Sequence, residues 1–467
     1  MQKDIGKICL FQGMYIIVRK DWHPGLSTCN LIDGELSLIE KMNSVIRFAE
    51  AKSIFVEFFV YTSVYYRTTP KGSLQCVDEF REKGIGLTVV NDGKEEIFSF
   101  DGMDFEKIER KCYQILGFTK KDYFKDEITV KGYGYKKDYF STKGFIHKVN
   151  QFFKNNQEEG VDLVISCQFE EIMVANNYSF ACDGRLFQKL IVSENGEIVK
   201  TLSSNDRTFI GDKYKRCYKK AELCTENKER KYDRILFAPM ASGMLMHEIC
   251  GHMLENDFFI QGNSLFKCIG QRVCNSTISV YDNPYRMYGK IKHIDDEGNI
   301  LKKTPLIVRG KLTGLLGCRY AQTTDKKLPF ASKARRESHE YVPTGRSFCI
   351  ELVSSNCKKI SVSELQDVLV VKTFSSSSFV PATNEVKCES SELYLFDADG
   401  QLIKIKGELK IRLKGNDFLR NIISVYDDYT YQENMCYSSS GHVSAATYTP
   451  SIMMDNTSLS IKIAAAS

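Results

Sequence analysis

No CxxC pair occurs anywhere in this chain, although it carries 16 cysteines. That absence argues against zinc ribbons and thioredoxin-type redox chemistry. No apolar run is long enough to span a bilayer. The longest, Ser53 to Tyr66, is broken by Glu57, so no membrane partner is expected. Residues 1–20 hold only short apolar runs and no small-residue cleavage site, which reads as mature protein and not as a signal peptide. Without an export signal, the cysteines are expected to be reduced thiols in a cytoplasm, not a disulfide framework. A basic stripe is missing too. The net charge is only +5, and lysines and arginines are interspersed with acids, so no nucleic-acid partner is expected. No fixed-period repeat is visible.

What is present is the composition of a globular protein, 43% hydrophobic and 26% charged. At 467 residues the chain exceeds one ordinary core. The pattern divides it into an N-terminal α+β domain over 1–118, a central domain over 119–230 and a β-rich C-terminal domain over 231–467. In the first, residues 33–51 have helical apolar spacing, Ile54 to Tyr61 reads as a buried strand, and Gly86 to Val90 and Glu96 to Phe100 form a hairpin about Asn91-Asp92-Gly93. Lys107 to Leu116 reads as helix, and Lys120 to Gly144 as a linker or surface loop. In the second, a short amphipathic segment over Phe145 to Asn155 precedes strands at Asp162 to Cys167, Glu171 to Ala175 and Leu186 to Val192. Asn195-Gly196 turns the chain after them, and the charged stretch Lys213 to Lys231 leads to the next boundary. In the third, Arg234 to Ala238 is a short strand stopped by Pro239. Strands then follow one helix at Thr277–Tyr281, Leu306–Val308, Leu312–Leu316, Phe348–Leu352, Val368–Val371 and Glu392–Phe396. Turns such as Asp282-Asn283-Pro284, Glu297-Gly298-Asn299 and Asp397 to Gly400 separate them. The expected fold class is α+β, with small sheets in the N-terminal region and a mostly β C-terminal domain.

That one helix holds the chemistry. Ser242 to Phe259 contains two of the seven histidines, three acids and a cysteine. His247 and His252 flank Glu248, a grouping that zinc hydrolases use to split amides. Their five-residue spacing sets them roughly 140° apart on a regular helix of ~3.6 residues per turn. Both can meet one ion only if the turn widens, as in a π-bulge, or the helix breaks, and Gly251 stands where such a distortion costs least. A zinc ion that keeps one position open for water needs a third protein ligand. Cys250, Glu255 and Asp257 are local candidates, and Cys436, His442 and His293 distant ones. Glu248 would be the general base, taking a proton from zinc-bound water and passing it to the leaving amine. Cys250 also reads as a small buried residue, and Glu255 and Asp257 as solvated or capping acids, or as partners of a ligand histidine.

These residues resemble the TldD/PmbA peptidases, a family long described as modulators of DNA gyrase. Its TldD-type members carry HExxGHxLEgD, and here His247-Glu248-Ile249-Cys250-Gly251-His252-Met253-Leu254-Glu255-Asn256-Asp257 stands in its place. Ile269 to Val273, Val280 to Pro284, Ile294 to Gly298 and Pro305 to Gly310 are similar to the family's GERV, VxDDP, IDDEG and LIxxG segments. Lys333 to Arg336, Arg346, Leu393 to Phe396, Lys406-Gly407 and Lys414 to Asn416 continue the likeness, and Gly84 to Gly93 matches an N-terminal segment loosely. The resemblance implies that the third zinc ligand is Cys436, in Asn434 to Val443. It implies Zn2+ as cofactor and hydrolysis of unstructured peptides, including leader peptides of ribosomally made modified peptides. It also implies a dimer, either with a PmbA/TldE-like subunit that lacks HExxxH or with a second copy. The alternative is a non-catalytic peptide-binding or partner subunit of such a complex, which has no need to keep His247, Glu248, His252 and Cys436. The chain departs from the family where Tyr437, serines and His442 replace a glycine-rich run, at Cys349, and at Ser375 to Ser378. His442 is a candidate for substrate contact.

Overall fold

The computed structural model describes residues 8–11, 14–17, 36–71, 74–123, 130–134, 142–156, 160–194, 197–204, 209–213, 224–226, 232–255, 258, 268–289, 291–319, 329–390, 392–396, 402–457, 461 and 463–464. Asp257, the turns at Asn195-Gly196 and Asp397 to Gly400, and most of Lys213 to Lys231 lie outside them. The fold is α+β, with mixed helices and sheets.

A large sheet fills the first half. Its order is Lys94–Asp101, Leu74–Asn91, Phe55–Lys71, Val161–Asn176, Ser179–Glu194 and Lys131–Gly134, with Glu197–Ser204 also paired to Ser179–Glu194. Strands from both sides of residue 118 thus share one sheet, because Phe55–Lys71 pairs antiparallel with Val161–Asn176. Lys131–Gly134 lies within the stretch expected as a linker and pairs in parallel with Ser179–Glu194. The Asn91-Asp92-Gly93 signal makes a tight hairpin, with φ of 49° at Asp92 and 76° at Gly93, the left-handed pair that matches strand twist. Helix Leu36–Glu50 lays Leu38, Ile39, Met42, Val45, Ile46 and Ala49 on the sheet. Phe105–Leu116 packs beside it, capped by the Asp104 carboxylate at one end and closed by left-handed Gly117 at the other.

Among the described residues, three larger sheets and two two-stranded ones lie in the second half. One of eight strands includes Leu369–Val371, Arg234–Phe237, Ile452–Asp455 and Ile422–Tyr426 as neighbours. One of six runs Lys311–Leu312, Thr304–Val308, Ile278–Asp282, Cys349–Ser354, Gly441–Thr449, Thr430–Ser438. One of four begins at its edge with Ser376–Val380, followed by Glu385–Ser390 and Glu408–Lys414. The segment 239–254 is enclosed by all three. Leu245, Met246, Ile249, Cys250, Met253 and Leu254 share a core with Ile235, Val280, Ile350, Val386, Leu409 and Met454. Burying each large apolar side chain contributes about 1.5–3 kcal/mol, so this core holds the segment against three rigid walls.

Charge joins the halves. Glu57, the residue that broke the longest apolar run, is 1% exposed and pairs with Arg319 and, at 3.3 Å, with Arg336. Arg185 meets Asp296 at 2.7 Å, and His293 meets Asp183 at 3.0 Å.

Candidate metal centre

Pro239 ends the strand Arg234–Phe237 and opens the helix Pro239–Met246 in its first turn, where its missing N–H leaves no bond unmade. At His247 the winding widens to a π-turn over His247–Gly251, and the His252 N–H donates to the His247 carbonyl five residues back. The wider turn brings the second imidazole round beside the first, with ring centroids 5.0 Å apart and planes at 76°. The distortion that the spacing demands is present. Gly251 serves it through space rather than handedness. Its φ is −76°, but a Cβ there would stand 3.3 Å from His247 Nδ1 and 3.3 Å from Ser347 Oγ.

Cys436 arrives from 184 residues away, on the hairpin Thr430–Ser438/Gly441–Thr449. Its side chain turns inward, 8% exposed, between the solvent-facing Met435 and Tyr437. Gly441 adopts a φ of 84° at the tip, where a side chain would collide with Glu337. Arg346, 1% exposed, clamps the tip by donating to the Cys436 carbonyl at 2.7 Å, the Gly441 carbonyl at 2.6 Å and Ser440 Oγ at 3.1 Å.

His247, His252 and Cys436 each offer one ligand atom, all within 4.8 Å of one another. Cys436 Sγ lies 3.1 Å from His252 Nε2. The opposite ring nitrogen, Nδ1, lies 2.9 Å from Glu255 Oε1, so the carboxylate fixes which nitrogen faces the sulfur. Burial resists ionisation of the Cys436 thiol, yet the imidazoles of His247 and His252 outweigh it and pull its pKa down to about 3. Burial also resists charge on His252, but the Glu255 carboxylate and the Cys436 sulfur raise its pKa well above the usual imidazole value. Burial pushes the Glu255 carboxyl up, with His252 opposing. A thiolate and two imidazoles form a donor set suited to a tetrahedral ion, whose ligand atoms, at bonds of about 2.0–2.3 Å, stand about 3.3–3.8 Å apart. Glu248 is 6% exposed, with Oε2 3.9 Å from His252 Nε2 and Oε1 accepting from Ser377 Oγ at 2.8 Å.

The other candidates separate from this group. Cys250 is fully buried in the core, where burial pushes its thiol up. Glu255 is neither solvated nor a ligand atom donor of the trio; at 4% exposure it braces His252. His293 is held by Asp183 and stacked 4.1 Å from Tyr288. His442 pairs across the hairpin with Tyr437, ring to ring at 4.7 Å, and so sits on the sheet face opposite the Cys436 thiolate. There it lines a cavity of about 100 Å³ with Glu170, Arg185 and Arg335. Spacing missed Ser377 and the clamping role of Arg346. The serine run Ser375 to Ser378 was visible, but nothing local ties it to Glu248.

The fold and the candidate site together define an α+β chain that gathers His247, Glu248, His252 and Cys436 in its second half. Residues 229–461 match the family model described as the PmbA/TldA metallopeptidase C-terminal domain. A metalloprotease TldD homolog of Buchnera aphidicola is 27% identical over 228 residues, 46% of this chain and 45% of that protein. A metalloprotease of Methanocaldococcus jannaschii is 26% identical over 250 residues, 46% of this chain and 54% of that protein. The chain thus spans about half the length of these curated relatives. The solved structure of TldE from Thermococcus kodakarensis shares the fold, with a TM-score of 0.65 at 16% identity over 91% of this chain and 99% of that one. The chain belongs to the TldD/PmbA family.

Proposed function

We propose that this chain is a zinc metallopeptidase that hydrolyses unstructured peptides, with His247, His252 and Cys436 as ligands and Glu248 as general base. The observation that carries the reading is the meeting of the Cys436 sulfur with two imidazoles beside a carboxylate that lies outside the ligand trio. When bound, zinc supplies Lewis acidity that polarises the peptide carbonyl and makes a water acidic enough to attack it. The protein does the rest. Glu255 holds the His252 ring, Arg346 holds the strand that presents Cys436, and Glu248 takes a proton from the attacking water. Glu248 then delivers that proton to the amine nitrogen as the C–N bond breaks. A leader peptide of a modified peptide is one substrate of the required extended kind, and a TldE-like subunit or a second copy is the expected partner. A non-catalytic subunit is the lesser reading, since it has no use for Glu248 beside a complete ligand trio.

Metal analysis alongside peptide cleavage tests this. Wild type is expected to carry about one zinc per chain. Glu248→Gln should keep the metal and lose at least about 100-fold in rate, whereas Cys436→Ser should lose the metal. Undiminished zinc in Cys436→Ser would overturn the ligand assignment, and undiminished cleavage in Glu248→Gln would overturn the mechanism.

A further inference from the structure

Resting on the metallopeptidase reading, we infer that Ser377 is the residue that positions Glu248, by holding one carboxylate oxygen so that the other handles the proton. A glutamate's last torsion is broad and roughly two-fold, so a general base on a turn needs an outside partner to fix its plane. Ser377 supplies it from a rigid element. It lies on Ser376–Val380, with Ser376 and Ser378 facing solvent and Ser377 turned inward toward the π-turn. The strand pairs antiparallel with Glu385–Ser390, which pairs in turn with Glu408–Lys414. Ser377 stands opposite Cys388, a 1% exposed residue whose thiol is raised first by burial and then by the charge of Glu248 itself. The sheet face is therefore built against that carboxylate.

The two oxygens of Glu248 have different neighbours. Oε1 accepts from Ser377 Oγ at 2.8 Å, while Oε2 looks toward His252 Nε2 at 3.9 Å. An ionised carboxylate only accepts, so the serine must be the donor. The contact survives the reaction. The water's O–H bond breaks, its proton goes to Oε2, and its oxygen bonds to the carbonyl carbon while the C=O π pair moves to oxygen. Oε1, now the carbonyl oxygen of a neutral acid, still accepts from Ser377. Oε2 returns the proton to nitrogen as the C–N pair leaves with the amine, and the carboxylate is restored. Ser377 thus keeps the proton on the oxygen nearest the ligand atoms at both stages.

The test uses the full chain with two substitutions, Ser377→Ala and Ser377→Thr, and an internally quenched unstructured peptide. Ser377→Ala should lower kcat about tenfold or more, a 1 Å misplacement being worth up to about 100-fold. KM should stay within about twofold and zinc content should not change. Ser377→Thr, which keeps the hydroxyl on a strand, should restore most of kcat. In the metal-free chain, the urea midpoint shifts of Ser377→Ala and Glu248→Ala should combine less than additively, because one contact is removed twice. A wild-type kcat in Ser377→Ala, no rescue by threonine, or additive midpoints would overturn the role of Ser377. Non-additive midpoints in the metal-free chain, together with no peptide cleavage by the zinc-loaded chain, would instead overturn the peptidase reading, and the catalytic role of Ser377 with it.

Discussion

At the scale of the residue, the candidate centre depends on partners that are not themselves ligands. Glu255 holds His252 Nδ1 at 2.9 Å, which leaves Nε2 to face Cys436. Replacing it by the isosteric amide removes the charge that favours this orientation. Glu255→Gln is expected to weaken zinc binding by about 10–100-fold, read by competition with a chromogenic chelator, while the chain stays folded. An unchanged affinity would reduce Glu255 to a packing residue. Its spacing, three residues beyond His252 on a continuing turn, made a contact with that histidine foreseeable. The tie between Ser377 and Glu248 was not, since 129 residues separate them and serines occur in many edge strands.

At the scale of the element, the π-turn follows from two residues. The five-residue spacing of His247 and His252 is incompatible with one face of a regular helix, and Gly251 leaves room for the His247 ring. Gly251→Ala sets two effects against each other. Alanine gains about 1 kcal/mol in helix propensity over glycine, whereas its Cβ meets His247 Nδ1 and Ser347 Oγ at 3.3 Å and asks both to move. The expected outcome is a thermal midpoint close to wild type with zinc affinity about tenfold weaker, within the range seen when a ligand's support is disturbed. Equal affinity in the two proteins would show that the ring has slack. The hairpin that carries Cys436 was less legible. Its strands alternate only partly, and the clamp that fixes its tip comes from Arg346, on a separate segment.

At the scale of the whole molecule, buried charge links the first sheet to the half that carries the centre. Glu57 lies on the long strand Phe55–Lys71, and its partners Arg319 and Arg336 come from beyond residue 300. Nearby, Glu297 is 6% exposed and accepts from the Arg319 backbone N–H at 2.8 Å. Burial pushes its carboxyl up to about 8, with Arg319 opposing and Glu57 and Asp295 adding to the rise. The folded chain therefore holds a proton that the unfolded chain releases near its ordinary value of about 4.3. The stability this contributes is complete below that value and is lost as pH rises through about 8. Glu297→Gln keeps the accepting oxygen and removes the ionisation. It should match wild type in urea at pH ~4 and exceed it at pH ~9. A midpoint difference that does not vary with pH would contradict the assignment.

The sequence by itself determined what short range can carry: the helices, the Asn91-Asp92-Gly93 hairpin, the need for a distorted turn at His247–His252, and the absence of a long apolar span. These follow from period, turn chemistry and spacing, which act over a few residues. Only the tertiary structure decided which distant groups meet. It pairs Phe55–Lys71 with Val161–Asn176 across the division expected at residue 118, and buries Glu57 against Arg319 and Arg336. It turns His442 to the opposite face from Cys436 and sets Ser377 on Glu248. Spacing along the chain left the third ligand open among six residues. The packing of three sheets around one helix brings Cys436 into the group and leaves Cys250, Glu255, His293 and His442 out of it. A contact between residues far apart in the chain is set by that packing, and no local pattern of residues encodes it.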